Sequence, residues 1–201
     1  MAVTNILLVG VGGQGTVLVS NVLTKGLVEA GYDVKMSEIH GMAQRGGSVS
    51  TQVRFGDKVY SPIIGEGQAD IIVSFEKMEA LRYLKFLKAG GKVIVNDEAL
   101  PSAPVQAGKA VYPKNTLDIL RKKADTMVIE ASKVAEELGN GKVANIVLFG
   151  ALARLMNLSN IDWKDVISRT VKPKFVEINK KAFDKGQSLV PERRNNGAEE
   201  L

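Results

Sequence analysis

Apolar and polar positions divide the first part of the chain into regular elements. Residues 6–9 form a continuous apolar run, as expected for a central strand that is buried on both faces. The apolar positions that follow recur at helical spacing and are Val17, Leu18, Val22 and Leu27. They predict a helix that ends at Gly31. Residues 32–37 are predicted to form a second strand, which Glu38 closes.

A different pattern follows the glycine-rich segment at residues 41–47. Alternate positions there are apolar or β-branched, as in a strand with one buried face. These positions are Val49, Thr51, Val53 and Phe55. Residues 56–58 then make a turn into residues 59–60, so the pattern predicts an antiparallel hairpin.

The rest of the chain alternates between strands and helices at first and then becomes helical. Strands are predicted at residues 69–75, 92–96, 110–112 and 126–130. Helices are predicted at residues 76–88, 116–123, 133–138, 143–156, 162–170 and from Pro173 to about residue 185. The helix at residues 143–156 is apolar nearly all round, so we expect it to be buried. Small residues in this helix, Gly150 among them, would let another backbone approach closely.

The composition excludes several kinds of site. The chain has 201 residues, no cysteine and one histidine, His40. Without cysteine it is expected to carry no disulfide, no thiolate-held zinc and no cysteine-ligated iron–sulfur cluster of its own. The net charge of +5 comes from basic residues dispersed among acidic ones, and aromatic residues make up only 5%. We therefore expect no nucleic-acid partner, and a basic surface that is either solvated or faces an acidic partner.

No membrane or export segment is predicted. The N-terminus lacks the basic region, apolar run and cleavage site of a signal peptide. The longest apolar run, at residues 143–156, is shorter than the ~20 residues that cross a bilayer. We expect a cytoplasmic protein with no membrane partner.

The first glycine cluster follows the first strand and opens the first helix, as a dinucleotide-binding fingerprint does. Its residues are Gly10, Gly12, Gly13, Gln14 and Gly15. Such glycines let backbone amides approach a phosphate at the helix N-terminus, and Glu38 stands where a ribose-binding carboxylate is expected. The predicted hairpin interrupts the βαβ repetition of such a domain, and Gln14 is an unusual residue at the helix entry. A tight turn that packs against other backbone is an equally good interpretation.

The second glycine cluster concentrates polar groups between two predicted strands, as binding loops do. Its candidate residues are Glu38, His40, Gln44, Arg45, Gly46 and Gly47. The Arg45 guanidinium suits a carboxylate or phosphate, and His40 suits proton exchange near neutral pH. The structural alternatives are an ion pair between Arg45 and Glu38, and a hydrogen bond from His40 to nearby backbone. No metal-ligand set and no nucleophile arrangement is found, so no catalytic residue is assigned.

Two stretches, GVGGQG and SEIHGMAQRGGSV, resemble the gamma-type subunits of 2-oxoacid:ferredoxin oxidoreductases, in particular the small subunit of the indolepyruvate enzymes. The resemblance extends from the first strand to the last helix. It implies an α/β fold with three α/β/α layers, a mostly parallel sheet, an antiparallel hairpin insertion and a C-terminal helical cap. We assign residues 1–190 to this one domain and residues 191–201 to a flexible tail.

The resemblance also implies an activity. Such enzymes oxidatively decarboxylate a 2-oxoacid with coenzyme A, and yield acyl-CoA, carbon dioxide and reduced ferredoxin. Thiamine pyrophosphate, Mg²⁺ and [4Fe-4S] clusters are expected in catalytic partner subunits, because this chain has neither cysteine nor a thiamine-pyrophosphate motif. The loop at residues 40–47 is expected to shape a substrate or coenzyme A pocket at the subunit interface.

Two other functions stay open at this point. One is a free-standing protein that binds NAD through the first glycine cluster and Glu38. The other is a purely structural scaffold that organises the catalytic subunits without lending a side chain to their pocket. A homodimer of the isolated chain also stays open, through an apolar face that partners would otherwise cover.

Overall fold

A computed structural model describes residues 2–40, 46–158 and 160–191 of the chain. The predictions for Gln44 and Arg45 lie outside the described residues, as does the predicted tail from residue 192 onward. The boundary of a single domain at residue 190 stays a prediction.

Within the described residues, six strands form one mixed sheet. They are β1 (Thr4–Val11), β2 (Asp33–His40), β3 (Ser48–Gly56), β4 (Ala69–Ser74), β5 (Leu87–Asn96) and β6 (Asp125–Ile129). Their order across the sheet is β2-β3-β1-β4-β5-β6. Strand β3 is antiparallel to both of its neighbours, whereas β1, β4, β5 and β6 run parallel to one another.

Helices cover both faces of the sheet. They are α1 (Thr16–Glu29), α2 (Lys77–Tyr83), α3 (Ala103–Gln106), α4 (Thr116–Lys123), α5 (Ala131–Glu137), α6 (Ala144–Met156), α7 (Trp163–Thr170) and α8 (Val176–Ser188). Side chains of α1, α5, α6, α7 and α8 join the core on one face, and those of α2 and α4 join the core on the other. The predicted α/β fold with three layers, a mostly parallel sheet and a C-terminal helical cap is confirmed. None of the helices in the described segments combines the length and the apolar character needed to cross a bilayer.

Strand β1 lies inside the sheet and is buried on both faces, as its continuous apolar run predicts. Ile6 and Leu8 belong to the core beneath α1, and Leu7 and Val9 to the core beneath α2. Full burial of side chains of this size contributes about 1.5–3 kcal/mol each, so β1 anchors the two cores to each other.

The predicted partner of β3 is wrong. Strand β3 pairs with β2 on one side and with β1 on the other, and residues 59–60 form no strand. Side chains satisfy the backbone of this segment instead: Asp33 accepts a hydrogen bond from the Val59 amide at 2.9 Å, and Arg54 donates to the Ser61 carbonyl at 2.9 Å. Side-chain hydrogen bonds thus take the place of strand pairing in this segment. The alternating pattern of β3 predicts a strand but does not show that its partners are β1 and β2.

Three other boundaries differ from the predictions. The predicted helix at residues 76–88 ends at Tyr83 and is followed by a 3₁₀ turn at Leu84–Phe86, so that β5 already begins at Leu87. Residues 110–112 form no strand. Helix α5 begins at Ala131, two residues before its predicted start. The Asn96 side chain caps this end from outside the helix, because its oxygen accepts a hydrogen bond from the Ala131 amide at 2.9 Å.

The helical cap is held by a close contact between α6 and α8. A Cβ added at Gly150 would lie 2.2 Å from the Phe183 carbonyl oxygen, and one added at Gly186 would lie 1.9 Å from that of Val147. Both distances are far shorter than a van der Waals contact. The small residues of α6 therefore allow the close backbone approach that the sequence predicts.

Candidate functional site

The two glycine clusters meet at the C-terminal edge of the sheet. The Gly12 amide donates to the Gly47 carbonyl at 2.8 Å, and the Gly46 amide donates to the Gly12 carbonyl at 3.2 Å. This contact follows from the register of β1 against β3, in which Val11 lies opposite Ser48. The edge also contains the point where successive connections leave opposite faces of the sheet, which is where open α/β sheets bind ligands.

Gln14 fills the first glycine turn with its own side chain. Its Oε1 accepts a hydrogen bond from the Val11 amide at 2.8 Å, and its Nε2 donates to the Phe75 carbonyl at 2.9 Å. The side chain thus joins the end of β1 to the end of β4. A Cβ at Gly10 would lie 2.9 Å from the same Oε1, so the absence of a side chain at Gly10 makes room for this bridge.

Gly15 lies directly before α1 and beneath α6. Its φ of 84° is left-handed, and a Cβ there would lie 2.1 Å from Nδ2 of Asn145. The Asn145 amide also donates to the Gly15 carbonyl, at 3.4 Å. The space in front of this glycine is therefore partly filled by the helical cap, which supports a packing role for it.

Glu38 lies on the α1 side of the sheet, next to α1 rather than next to the glycine turn. Its carboxylate accepts a hydrogen bond from Ser20 at 3.1 Å and lies 3.3 Å from Nε2 of His40. Because β3 separates β2 from β1, Glu38 is one strand further from the turn than a ribose-binding carboxylate on an adjacent strand would be. The structure thus brings Glu38 and His40 together, and the alternative ion pair with Arg45 lies outside the described residues.

A polar cluster that the sequence analysis did not identify lies on the cap side of the turn. Asn96 ends β5, Glu98 follows two residues later, and Ser132 lies in the first turn of α5. The Glu98 Oε2 accepts hydrogen bonds from Ser132 Oγ at 2.8 Å and from Asn96 Nδ2 at 2.9 Å. Gln14 Nε2 lies 3.5 Å from the same oxygen. The signal in the sequence was the abrupt change from the apolar run of β5 to the polar residues Asn-Asp-Glu.

This cluster borders a cavity of about 590 Å³, which we call the cap-side cavity. Its walls come from the glycine turn, the end of β5, α5 and the start of α6. Apolar side chains also line it, including Leu18, Phe75 and Leu148. The volume lies within the range of small-molecule sites, roughly 300–1,000 Å³.

A second cavity of about 330 Å³ lies on the other side of the turn, beside Gly46 and Ser48, and we call it the loop-side cavity. Two buried carboxylates border it. Glu79 accepts a hydrogen bond from Ser48 and pairs with Arg82 at 3.0 Å. The start of β3, directly after the second glycine cluster, is thereby attached to α2.

Glu76 is the other buried carboxylate of the loop-side cavity, with 1% of its surface exposed. It caps α2 by accepting from the Glu79 amide at 2.9 Å, and it also accepts from the Leu100 amide at 3.2 Å and from the Tyr112 hydroxyl. Burial, together with the hydrogen bond to Glu76, raises the pKa of Tyr112 well above its usual value. The neutral hydroxyl therefore remains a donor, and it ties the segment before α4 to the start of α2.

The donor groups of the described residues do not form a metal site. The sequence has no cysteine, and in residues 2–40, 46–158 and 160–191 no three His, Asp or Glu side chains come together as ligands.

Comparison with known proteins identifies the family. Residues 5–189 match the family described as pyruvate ferredoxin/flavodoxin oxidoreductase. The chain belongs to this family. It is 43% identical over 196 residues to the indolepyruvate oxidoreductase subunit IorB of Thermococcus kodakarensis, an alignment that covers 94% of this chain and 96% of that protein. The subunit IorB of Pyrococcus horikoshii is 43% identical over 199 residues, with 95% and 98% covered.

Solved structures agree on the fold. The gamma subunit of a keto/oxoacid ferredoxin oxidoreductase from Geobacter sulfurreducens superposes with a TM-score of 0.68 at 23% identity, covering 92% of this chain and 97% of that one. A 2-oxoglutarate:ferredoxin oxidoreductase from Magnetococcus marinus, with 2-oxoglutarate, coenzyme A and succinyl-CoA bound, gives a TM-score of 0.72 at 22% identity. That match covers 94% of this chain and 31% of the other. The predicted family, and the predicted function as a subunit of such an oxidoreductase, are confirmed.

Proposed function

We propose that this chain is the small subunit of a 2-oxoacid:ferredoxin oxidoreductase that acts on indolepyruvate. One observation carries the proposal, namely the 43% identity to indolepyruvate oxidoreductase subunits along nearly the whole of both chains. The assembled enzyme converts the 2-oxoacid and coenzyme A into acyl-CoA, carbon dioxide and reduced ferredoxin in the cytoplasm. This chain alone is inactive.

Catalytic partner subunits hold the cofactors in this proposal. Thiamine pyrophosphate with Mg²⁺ supplies the electron sink for decarboxylation, and [4Fe-4S] clusters carry the electrons to ferredoxin. The lack of cysteine in this chain supports the division of labour, because such clusters need thiolate ligands.

The loop at residues 40–47 is proposed to face a partner subunit and to shape the substrate or coenzyme A pocket. Contacts at both of its ends support this role. His40 lies beside Glu38 at one end, and at the other Gly46 and Gly47 bond to Gly12 while Ser48 bonds to Glu79. Both ends of the loop thus lie at the edge of the sheet where open α/β folds bind ligands. Arg45 is the proposed anion contact, with Gln44 and His40 as its neighbours.

Co-purification tests the function. The chain is tagged in its native host and the isolated complex is assayed for coenzyme A-dependent reduction of ferredoxin or viologen with a panel of 2-oxoacids. We expect a partner that contains iron–sulfur clusters, and the highest kcat/KM with indolepyruvate. A complex that prefers another 2-oxoacid overturns the substrate assignment, and a chain without such a partner overturns the subunit role.

Arg45→Ala tests the role of the loop. Losing a bidentate contact to an anion is expected to raise the KM for the 2-oxoacid or for coenzyme A about tenfold in the assembled enzyme, with unchanged assembly. Arg121→Ala, which removes a half-exposed arginine on α4, is the matched control and should leave both values unchanged. Unchanged kinetics for both substrates in Arg45→Ala would contradict the contact.

The scaffold alternative predicts a different outcome. If the chain only organises its partners, replacing His40, Gln44 and Arg45 together should leave turnover normal. The NAD alternative predicts saturable NADH binding by the isolated chain. Two observations favour packing over NAD at the first turn: Gln14 fills it, and β3 separates Glu38 from it.

A further inference from the structure

The Glu98 carboxylate lines the cap-side cavity, and its side-chain hydrogen bonds all fall on one of its two oxygens. Its Oε2 accepts from Ser132, Asn96 and, at 3.5 Å, from Gln14. These donors are all neutral. Within residues 2–40, 46–158 and 160–191, Oε1 accepts no hydrogen bond and no cation pairs with the carboxylate. Neutral donors orient a carboxylate without neutralising it, so the charge is held in place and one oxygen stays available.

The network fixes Glu98 firmly. Asn96 is buried, and it caps α5 through its oxygen while its nitrogen donates to Glu98. Ser132 lies in the first turn of the same helix. Both donors are thus fixed by the sheet and by α5, so the carboxylate needs little reorganisation when a partner arrives.

The charged residues of the cavity lining carry one negative charge in excess, counting Glu98. Glu136 adds a second negative charge, and Lys142 is the basic residue of the lining. Lys142 is exposed and makes no ion pair with Glu98 in the segments that the structure describes. A phosphate or a second carboxylate would therefore meet repulsion from Glu98, while a positive group would find an acceptor.

We propose that the cap-side cavity binds an organic cation, a primary ammonium or a guanidinium on an apolar stem. The cation pairs with Oε1 of Glu98, and the stem lies against Leu18, Phe75 and Leu148. A charge-assisted hydrogen bond in a partly apolar cavity is stronger than one between neutral groups. Two kinds of molecule carry such a cation, namely a free amine and the lysine or arginine side chain of a partner subunit. This inference does not depend on the substrate of the enzyme.

Three probes of similar shape test the charge preference on the full-length chain. They are phenethylammonium, 2-phenylethanol and phenylacetate, which present a cation, a neutral alcohol and an anion on the same ring. Amide shifts in NMR spectra of isotope-labelled protein should locate the cation near Gly15, Glu98 and Ser132. We expect phenethylammonium to bind at least tenfold more tightly than phenylacetate, with the alcohol between them. Equal affinities for cation and anion, or no saturable shift at millimolar cation, would overturn the proposal.

Glu98→Gln tests the residue itself. It keeps the size of the side chain and removes its charge, so the affinity for phenethylammonium should fall at least tenfold. Glu137→Gln is the matched control, because it makes the same charge change at an exposed position on α5 outside the cavity lining. Equal weakening in both variants would show a long-range charge effect and overturn the site. Should Glu98→Gln fail to fold, the three probes on the unmodified chain still test whether the cavity prefers a cation.

The assembled enzyme distinguishes the two sources. If the native cation is a free amine, phenethylammonium binds the complex and the isolated chain alike. If a partner subunit supplies it, the complex excludes the probe, and Glu98→Gln weakens assembly while Glu137→Gln does not. Probe exclusion from the complex without any effect of Glu98→Gln on assembly would overturn the second source.

Discussion

Glycines serve two regions of this chain in different ways. In the contact between α6 and α8, Gly150 and Gly186 face backbone carbonyl oxygens, at 2.2 and 1.9 Å from the positions that a Cβ would take. In the turn after β1, Gly15 faces the side chain of Asn145, and the space in front of Gly13 is open as far as residues 2–40, 46–158 and 160–191 are concerned. Backbone cannot move aside without displacing a whole helix, whereas a side chain can rotate.

The difference separates glycines that only allow two backbones to pack closely from glycines that leave space for a ligand. The helical contact needs glycine for packing alone, since no space remains between the two backbones. The turn has polar side chains at its borders and a cavity of about 590 Å³ beside it. Glycine spacing along the sequence does not separate these cases, because it does not say what each glycine faces.

The largest effect is expected at the helical contact. Gly186→Ala should lower the free energy of unfolding by about 4 kcal/mol, despite the higher helix propensity of alanine, because the new Cβ meets the Val147 carbonyl. Urea unfolding measures this. Gly141→Ala is the control, since among the described residues its Cβ would meet only the Glu136 Cγ, in an ordinary contact at 3.9 Å. A loss below about 1 kcal/mol would show that the two helices separate easily, and that the helical contact tolerates a side chain as well as the glycine turn does.

Gly15→Ala should cost about 2 kcal/mol, part of it from the left-handed φ of 84° and part from Asn145. A double-mutant cycle separates the two contributions. With Asn145→Ala in the same chain the clash disappears, so the two substitutions should together cost less than their sum by about 1 kcal/mol. Strict additivity would assign the whole cost to the backbone conformation.

Gln14→Ala should cost about 1.5 kcal/mol, because it leaves the Val11 amide without its side-chain partner and leaves the Phe75 carbonyl with Asn96 as its one remaining side-chain donor among the described residues. Gln68→Ala is the matched control: Gln68 accepts from the Gly65 amide at 3.1 Å in an exposed turn, where water replaces it. Thermal unfolding compares the two variants. Equal small losses would mean that water also enters the crevice between β1 and β4.

Gly13→Ala should have the smallest effect, about 1 kcal/mol, since its φ of 106° is strained for alanine but no described residue lies within 4 Å of the new Cβ. Isothermal chemical unfolding measures this difference. If the assembled enzyme also loses activity while the isolated chain is this little affected, the open space in front of Gly13 belongs to a functional contact.

The sequence predicts the fold well where burial determines the pattern. The apolar run of β1 and the helical spacing of α1 identify both elements, because each is set by which side chains face the core. It fails at residues 59–60, where alternation continues after the turn. Hydrogen bonds to Asp33 and Arg54 hold that backbone, and no local signal distinguishes these from the bonds of a strand.

The candidate site is predicted only in part. The sequence identifies both glycine clusters as candidate sites, and in the structure hydrogen bonds join the two clusters. It does not identify Glu98 and Ser132, because their proximity depends on which strands are neighbours. Roles for Gln44 and Arg45 stay predictions, since these residues lie outside those that the structure describes.

The position of β1 has a consequence for synthesis on the ribosome. This strand leaves the ribosome before both of its partners, since its antiparallel partner ends only at Gly56 and its parallel partner only at Ser74. The nearby strands β2 and β3 can pair as soon as they emerge, but the segment Ile-Leu-Leu-Val of β1 must wait with its apolar surface exposed to water. We expect chaperones to bind nascent chains of intermediate length through this segment, and to release them once β4 has left the exit tunnel.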